Sequence, residues 1–300
     1  MFRTQVGDEY WMVTHPDHME VAGYLAAHWG NHEFMAMGAP FGDDDQSKLR
    51  LNAVRSVAIH DNGWWEWEAE PRLDPVGHLP VDLTDVMTDL PDAFGRWRIG
   101  AVRFERSNPF GSALIAHHAL NLYKPRLDDA PNENDIHPLF WKHLPPVADR
   151  DRADVAEFVG EMSRLKARLL GRLGERSETA HWADSDNVAH SGRLIQVLDA
   201  IAIYLSSSLM PGMSDEPVEG FQKYAWNILR VPRSSASERV TIKVHPVGER
   251  GLRFDPYPFD ISPLPVLVSI RVSTGFGSRS DFNRRWPGIE RRTVRFEIVR

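Results

Sequence analysis

The sequence predicts a mainly α protein with a β-rich subdomain at its C-terminal end, so α+β overall. Three observations predict it. Through most of the first 210 positions, apolar residues recur at three- and four-residue steps, as on the buried faces of helices. Beyond Met213, apolar and polar residues alternate, as in strands. With 42% hydrophobic and 26% charged residues, the 300-residue chain can bury a core. We predict a helical domain over residues 1–212 and a β-rich subdomain over residues 213–300.

The first helix is predicted to follow an extended segment, residues 2–14, and to end near Trp29. Thr14 or Asp17 is a candidate N-cap, and Pro16 suits a first helical turn. His18 lies on the same stripe as the apolar residues of this helix. Its side chain should therefore point inward.

Further helices are predicted over residues 46–60, 83–90, 96–105, 112–123, 151–173 and 188–209, and strands over residues 240–244, 264–272 and 292–299. Gly63 breaks the helix 46–60 directly after the dipeptide His60-Asp61. His118 lies on the apolar stripe of the helix 112–123. Asp199 interrupts the strongly apolar helix 188–209. Each of these polar residues is therefore expected at a buried position.

Composition excludes several kinds of site. There are 35 basic and 42 acidic residues, a net charge of −7, which argues against a large nucleic-acid interface. No cysteine is present, so disulfides and thiolate metal sites are excluded, and any metal must be held by His, Asp or Glu. The N-terminal residues lack a signal-peptide pattern, and no apolar run approaches the ~18 residues that span a membrane. These features predict a cytoplasmic protein without membrane partners.

The dipeptide His60-Asp61 is the most informative local feature. An imidazole nitrogen and a carboxylate oxygen can reach one metal ion where a helix ends, and this mixed ligand pair suits zinc, manganese, iron or nickel. Asp199 adds a carboxylate in an apolar helix, which is costly unless it is paired or binds a cation. The alternatives are an ion pair with a residue such as Arg193, and hydrogen-bonded core roles for His18 and His118. His15 is an alternative ligand to His18.

The order of these residues resembles the HD superfamily of metal-dependent phosphohydrolases. More closely, the runs Thr14–His18, Ile59–Trp64 and His117–Tyr123 resemble an uncharacterised bacterial family, a domain of unknown function related to that superfamily, over about residues 10–210. The resemblance implies an HD-like helical bundle holding a divalent metal ion. It also implies the ligands: His18 as the lone histidine, His60 and Asp61 as the pair, Asp199 as the last aspartate, and His118 as a ligand of a second metal.

Two features depart from that pattern. Further second-metal histidines are expected between the pair and the last aspartate, and the choice stays open among His78, His117, His118, His137 and His143. A phosphate-binding lysine is not evident beside the pair, and the cationic candidates are Arg96, Arg98, Arg103 and Arg106.

The aromatic segment after Gly63 has two interpretations. Its tryptophans, Trp64, Trp65 and Trp67, either pack in the core or form a stacking wall for a base or sugar ring. Glu66 and Glu68 are either exposed charges, or a general base or a partner of a ligand histidine. We take Asp61 and Glu66 as the catalytic candidates.

Three functions follow as hypotheses. The first is a metal-dependent hydrolase of the HD type that acts on a small phosphorylated substrate, a phosphoester or a nucleotide-like molecule. The second is an HD-type di-iron oxygenase. The third is a non-catalytic HD-fold binding protein whose β region is an interaction surface. The state of oligomerisation is left open by the sequence.

Overall fold

The computed structural model describes residues 1–38, 43–83, 89–140, 144, 146–208 and 220–300, without the side chains of residues 43–47. Within them the helices are α1 (His15–His28), α2 (Asp43–Ala58), α3 (Trp65–Ala69), α4 (Leu90–Arg103), α5 (Pro109–Tyr123), α6 (Arg152–Gly174), α7 (Ser185–Ser206) and α8 (Arg279–Arg285). The strands are β1 (Phe2–Val6), β2 (Glu9–Val13), β3 (Trp226–Pro232), β4 (Arg239–Val247), β5 (Gly251–Asp255), β6 (Leu264–Ser273) and β7 (Glu290–Val299).

The strands in the described part of the chain form one seven-stranded sheet in the order β1-β2-β6-β7-β5-β4-β3. Neighbouring strands are antiparallel except β5 and β7, which are parallel. The two N-terminal strands join through a turn at Gly7 and enter the sheet where β2 pairs with β6. The sheet curls into a half-barrel.

The predicted fold class, mainly α with an HD-like helical bundle, is wrong. The chain is 48% helix and 20% strand, and a large mixed sheet shares the fold with the helices. The physical reason is that strands from both ends of the chain complete one sheet, whose buried face then needs helices against it. Period-two alternation in short segments such as Phe2–Val6 is a weak signal in the sequence, whereas its consequence for the fold is large.

The predicted division at residues 212/213 lies outside the described residues. Within the described ones, a single apolar cluster contains residues of α1, α2 and α7 together with residues of β3 to β7. Helix α7 is buried along nearly its whole length, from Asn187 to Ser206. Such all-round burial explains why apolar residues are not confined to one face of this helix. The polar side chains of α7 from Asn187 onward are therefore held inside the protein.

A second apolar cluster joins α4, α5 and α6 and includes Trp64 and Trp97. Helix α5 contacts α2, α4, α6 and α7. Its own residues are buried on almost every side, which places His118 between the two clusters. The junction of α1, α5 and α7 with the segment that follows α2 is where the predicted ligands meet.

Candidate metal centre

The structure brings the five predicted ligands together and adds a sixth residue, His137. His18 comes from α1, the pair His60-Asp61 from the turn after α2, His118 from α5 and Asp199 from α7. His137 precedes a short 3-10 turn, Pro138–Phe140. The six side chains are buried, and they form two groups that share Asp199: His18, His60, Asp61 and Asp199, and His118, His137 and Asp199.

The first group surrounds one oxygen of Asp199. Its Oδ1 atom lies 2.7 Å from Nε2 of His18 and 3.1 Å from Nε2 of His60. Nε2 of His60 also lies 3.2 Å from Oδ2 of Asp61. These atoms are close enough for one cation to replace their mutual contacts, because ligand atoms around one ion lie within a few ångströms of each other.

The second group surrounds the other oxygen. Oδ2 of Asp199 lies 3.0 Å from Nε2 of His137 and 3.6 Å from Nε2 of His118. Among the described residues, Nε2 of His137 has no partner with hydrogen-bond geometry despite this short distance. His118 and His137 thus both place Nε2 near the same carboxylate oxygen.

The turn that carries His60 and Asp61 is tight. The N–H groups of His60, Asn62 and Trp64 each donate to the carbonyl three residues earlier. A carbonyl only accepts, so the 2.8 Å contact of His60 with the carbonyl of Val57 places a hydrogen on Nδ1 and leaves Nε2 for the cluster. At Gly63 a Cβ would lie 2.0 Å from the carbonyl oxygen of Arg96. Glycine is required there for α4 to approach the turn.

Charge on the first group is partly balanced internally. Burial opposes ionisation of His60, but the carboxylates of Asp61 and Asp199 outweigh it and raise the pKa of His60 well above its ordinary value. Burial likewise opposes ionisation of Asp61, yet His60 lowers its pKa to about 2. Asp199 has a pKa well below its usual range because His60, His137 and His18 outweigh its burial. The histidine therefore carries a proton where a metal ion would carry the positive charge.

The second group is less charged. Burial lowers the pKa of His118 to about 3, and the attraction of Asp199 only partly offsets it.

The backbone next to His137 is held by a hydrogen bond from Arg193. Nη1 of the buried Arg193 donates to the carbonyl of Ile136 at 2.7 Å. The same guanidinium donates to the carbonyls of Leu229 and Arg230 in β3. Arg193 thus joins the His137 segment to the sheet and makes no ion pair with Asp199 among the described contacts.

The donor set fits a divalent metal ion. Four imidazoles and two carboxylates, without sulfur ligands, suit zinc, manganese, iron or nickel. Two carboxylates buried among six titratable groups are costly unless a cation or protons balance them. The first group could hold a metal ion, and Asp199 has an oxygen for each group.

A small cavity of about 50 Å³ opens beside the cluster, with room for roughly three to five waters at ~10–15 Å³ each. Its polar lining consists of His15, Asp61, His118, His137 and Asp199, beside Tyr123. The other lining residues are Phe2, Trp64, Leu83, Ala93, Trp97, Leu122, Leu139, Phe140 and Ile203. A group that reaches the cluster is therefore enclosed by aromatic and aliphatic walls.

Trp64 is both a core residue and part of that wall. It is 4% exposed, its ring meets Trp97 edge-on, and it stacks on His15. Trp65 instead packs against Phe104, away from the cavity lining. Trp64 therefore packs in the core and also lines the cavity. A stacking role toward a base or sugar ring stays a prediction.

Glu66 is not brought to the cluster. Its carboxylate is largely exposed and accepts two hydrogen bonds from Arg103, which lowers its pKa. Glu68, two residues later, is buried and contacts His15. Helical spacing separates the two carboxylates by about 200° around α3, so one faces solvent and the other the interior. His15 lines the cavity but belongs to neither ligand group.

The structure narrows the choice among the five histidines that were candidates for a second metal, because only some of them lie near Asp199. His118 and His137 lie in the cluster, whereas His117 contacts Lys166 and Asn121. His78 is not in either group, and His143 lies outside the described residues. The four arginine candidates do not line the cavity within the described part of the chain. His137 sits in a Pro-rich connection without periodicity, so its burial had no signal in the sequence.

Comparison with known proteins identifies the family. Residues 1–273 match the model of the family described as "Protein of unknown function (DUF3891)". The chain belongs to this family. No curated protein and no solved structure matches the chain. None of the helices among the described residues has both the length and the apolar character needed to span a membrane.

Proposed function

We propose that the protein is a metal-dependent hydrolase of phosphoesters that binds two metal ions, one in each of the two ligand groups that share Asp199. The observation that carries this proposal is the placing of one Asp199 oxygen in each of two buried ligand groups. A carboxylate that bridges two ions is a recurrent feature of sites that cleave phosphoesters, where paired ions contact the attacking and leaving oxygens. The proposal covers the site and its chemistry.

Bound ions would lower the pKa of a water and polarise a phosphoryl oxygen. The chain's own residues have separate tasks. His18, His60, Asp61 and Asp199 would hold the first ion, and the hydrogen bond of His60 to the Val57 carbonyl fixes the ring of His60. The aromatic walls exclude bulk water, which strengthens electrostatic interactions inside the cavity. Asp61 lines the cavity together with Asp199, His118 and His137.

The order His18, His60-Asp61, His118, His137, Asp199 supports the likeness to the HD superfamily at the level of the ligands alone. The helical-bundle fold is no part of the proposal. A nucleotide-like substrate is favoured less than a small phosphoester, since the cavity holds only a few waters. A larger substrate would place only its phosphoryl group beside the cluster.

A second candidate function is a two-iron oxygenase. The observation that favours it is the apolar cavity wall, formed by residues such as Phe2, Trp97 and Phe140, which suits an uncharged substrate. Four imidazoles also suit iron. An iron-dependent electronic spectrum that changes on exposure to oxygen would favour the oxygenase over the hydrolase.

Elemental analysis of protein without an affinity tag is the first test. We expect two divalent ions per chain, and hydrolysis of p-nitrophenyl phosphate that a chelator abolishes and the metal restores. Protein that binds no metal under any loading condition would contradict both candidates and favour a binding protein. Metal-loaded protein that cleaves no phosphoester would contradict the hydrolase alone.

A further inference from the structure

A second buried histidine–carboxylate pair lies next to the candidate metal centre. Nδ1 of His15 is 2.5 Å from Oε1 of Glu68, and the backbone N–H of His15 donates to the same oxygen at 3.2 Å. The amino group of Met1 lies 2.8 Å from this oxygen and 3.0 Å from Nδ1 of His15. Both side chains are almost fully buried, with 1% and 4% exposure. Glu68 therefore fixes the position and the orientation of the imidazole.

His15 also has a place in the cavity wall. His15 lines the same cavity as Asp61, Asp199 and His118. Its ring stacks on Trp64 with centroids 5.2 Å apart and planes 25° apart, and it contacts Phe2 at 5.5 Å. Because Nδ1 contacts Glu68 and the Met1 amino group, Nε2 is the nitrogen left to face a bound group. No described hydrogen bond or ion pair joins His15 to a proposed metal ligand.

We propose that His15, oriented by Glu68, carries a proton from the attacking water to the leaving group. This proposal rests on the proposed hydrolase function and names a further residue in its chemistry. In the reaction an O–H bond of water breaks, its proton moves to Nε2 of His15, and the water oxygen forms a bond to phosphorus. The bond from phosphorus to the leaving oxygen breaks, and that oxygen takes the proton from Nε2. His15 ends the reaction as it began.

The groups around His15 favour a neutral ring before the proton arrives and stabilise the charged ring afterwards. Burial and the Met1 amino group lower the pKa of His15 despite Glu68 and Asp61, so the ring begins neutral and able to accept a proton. Once the ring is charged, the carboxylate of Glu68 stabilises it, because it is ionised with a pKa of about 2. A buried carboxylate that orients and stabilises an imidazole is the arrangement used in histidine-based proton transfer.

The first test compares leaving groups. With phenyl phosphate, whose leaving group needs a proton, His15→Gln should lower kcat by roughly 10²- to 10⁴-fold, the usual contribution of such transfer. With p-nitrophenyl phosphate, whose leaving group departs as the anion, the loss should be smaller. Glu68→Gln should follow the same pattern more weakly, and metal content should stay unchanged. Equal losses on both substrates, or loss of metal in His15→Gln, would overturn the proposal.

The matched control lies on the same helix. His28, at the other end of α1, contacts a carboxylate oxygen of Asp260 at 2.8 Å but is partly exposed and remote from the cavity lining. His28→Gln should leave both activities and metal content unchanged. A loss in His28→Gln equal to that in His15→Gln would show a general effect of helix α1 and would count against a role in proton transfer.

A measurement without turnover separates this inference from the proposed function. In zinc-loaded protein with ¹⁵N-labelled histidine, the Nε2 signal of His15, identified by its absence in His15→Gln, should shift when inorganic phosphate is added. A wild-type protein that cleaves no phosphoester contradicts the proposed function. In that case the phosphate-dependent shift of the Nε2 signal still tests whether His15 faces a bound phosphate. An unchanged His15 signal at saturating phosphate overturns the proposal.

Discussion

The two ligand groups share Asp199 but differ in how the fold holds them. In the first group, ligands come from α1, from α7 and from a turn closed by three successive backbone hydrogen bonds. In the second, His118 lies on α5 and His137 lies on a connection between helices, and the contact from His118 to Asp199 is 3.6 Å. The ligands of the first group are therefore held by more regular structure than His137 is, although His137 lies 3.0 Å from Asp199.

Their charges differ in the same direction. The carboxylates of Asp61 and Asp199 keep His60 protonated, whereas burial keeps His118 neutral. The imidazole of His60 has its second nitrogen bonded to a carbonyl, whereas Nδ1 of His118, like Nδ1 of His18 in the first group, has no partner among the described residues. An oriented ligand with a hydrogen-bonded second nitrogen binds metal more tightly. We infer that the first group binds its ion more tightly than the second.

Removal of the shared carboxylate should have the largest effect. Asp199→Ala deletes the only residue common to both groups, so we expect metal content to fall from two ions per chain to none. Asp199→Asn keeps the shape but lacks the charge, and it should bind less than one ion. Elemental analysis after dialysis measures both. Retention of one full ion in Asp199→Ala would show that the groups do not depend on a bridge.

Single substitutions should separate the groups. His60→Ala should abolish the tighter ion, while His118→Ala should abolish the weaker ion and leave the tighter one in place. His117→Ala is the matched control, since its ring contacts Lys166 rather than the cluster. Competition titrations with a chromophoric chelator resolve the two affinities. Loss of the same ion in His60→Ala and in His118→Ala would mean that one site, rather than two, exists.

The two groups also differ in how far their residues could be predicted from the sequence. His18, His60, Asp61, His118 and Asp199 could be found because each interrupts an apolar helical stripe or ends one. His137 could not, since no periodicity marks an irregular segment and its burial depends on Arg193 and the sheet. Glu68 was distinguishable from Glu66 only once the short helix α3 was known, because a one-turn helix is too short for a periodic signal.

The fold was less predictable than the site. Most helices were indicated by long apolar stripes, and α7 by its continuous apolar run. The class was wrong because the pairing of β2 with β6 joins residues about 260 positions apart. No local pattern specifies such a partner, since alternation shows that a strand has a buried face but not which strand lies beside it.

Loss of the hydrogen bond from Arg193 to the carbonyl of Ile136 should lower the metal affinity of the second group alone. Arg193→Met removes the donor to the carbonyl directly before His137, and we expect the weaker ion to lose roughly 10- to 100-fold in affinity, as for other residues that orient ligands. Arg193→Lys should recover part of it. The tighter ion should be unchanged, which a purely structural loss would not allow. An equal loss of affinity for both ions would assign Arg193 to the general stability of the fold.

The pH dependence of metal affinity should differ between the groups. In the metal-free protein His60 holds a proton because its pKa is raised, and an ion must displace that proton to bind its nitrogen. The affinity of the first group should therefore rise with pH, by up to about tenfold per unit for one released proton, until the pH passes the pKa of His60.

His118, with a pKa of about 3, has no proton to release at neutral pH, so the affinity of the second group should change less between pH 6 and 8. Calorimetry in buffers of different ionisation enthalpy counts the protons released by each ion. Asp61→Asn removes one of the two carboxylates that charge His60, and should flatten the slope of the first group even though its affinity falls. Equal slopes for the two ions in the wild-type protein would mean that the difference in charge between the groups does not govern binding.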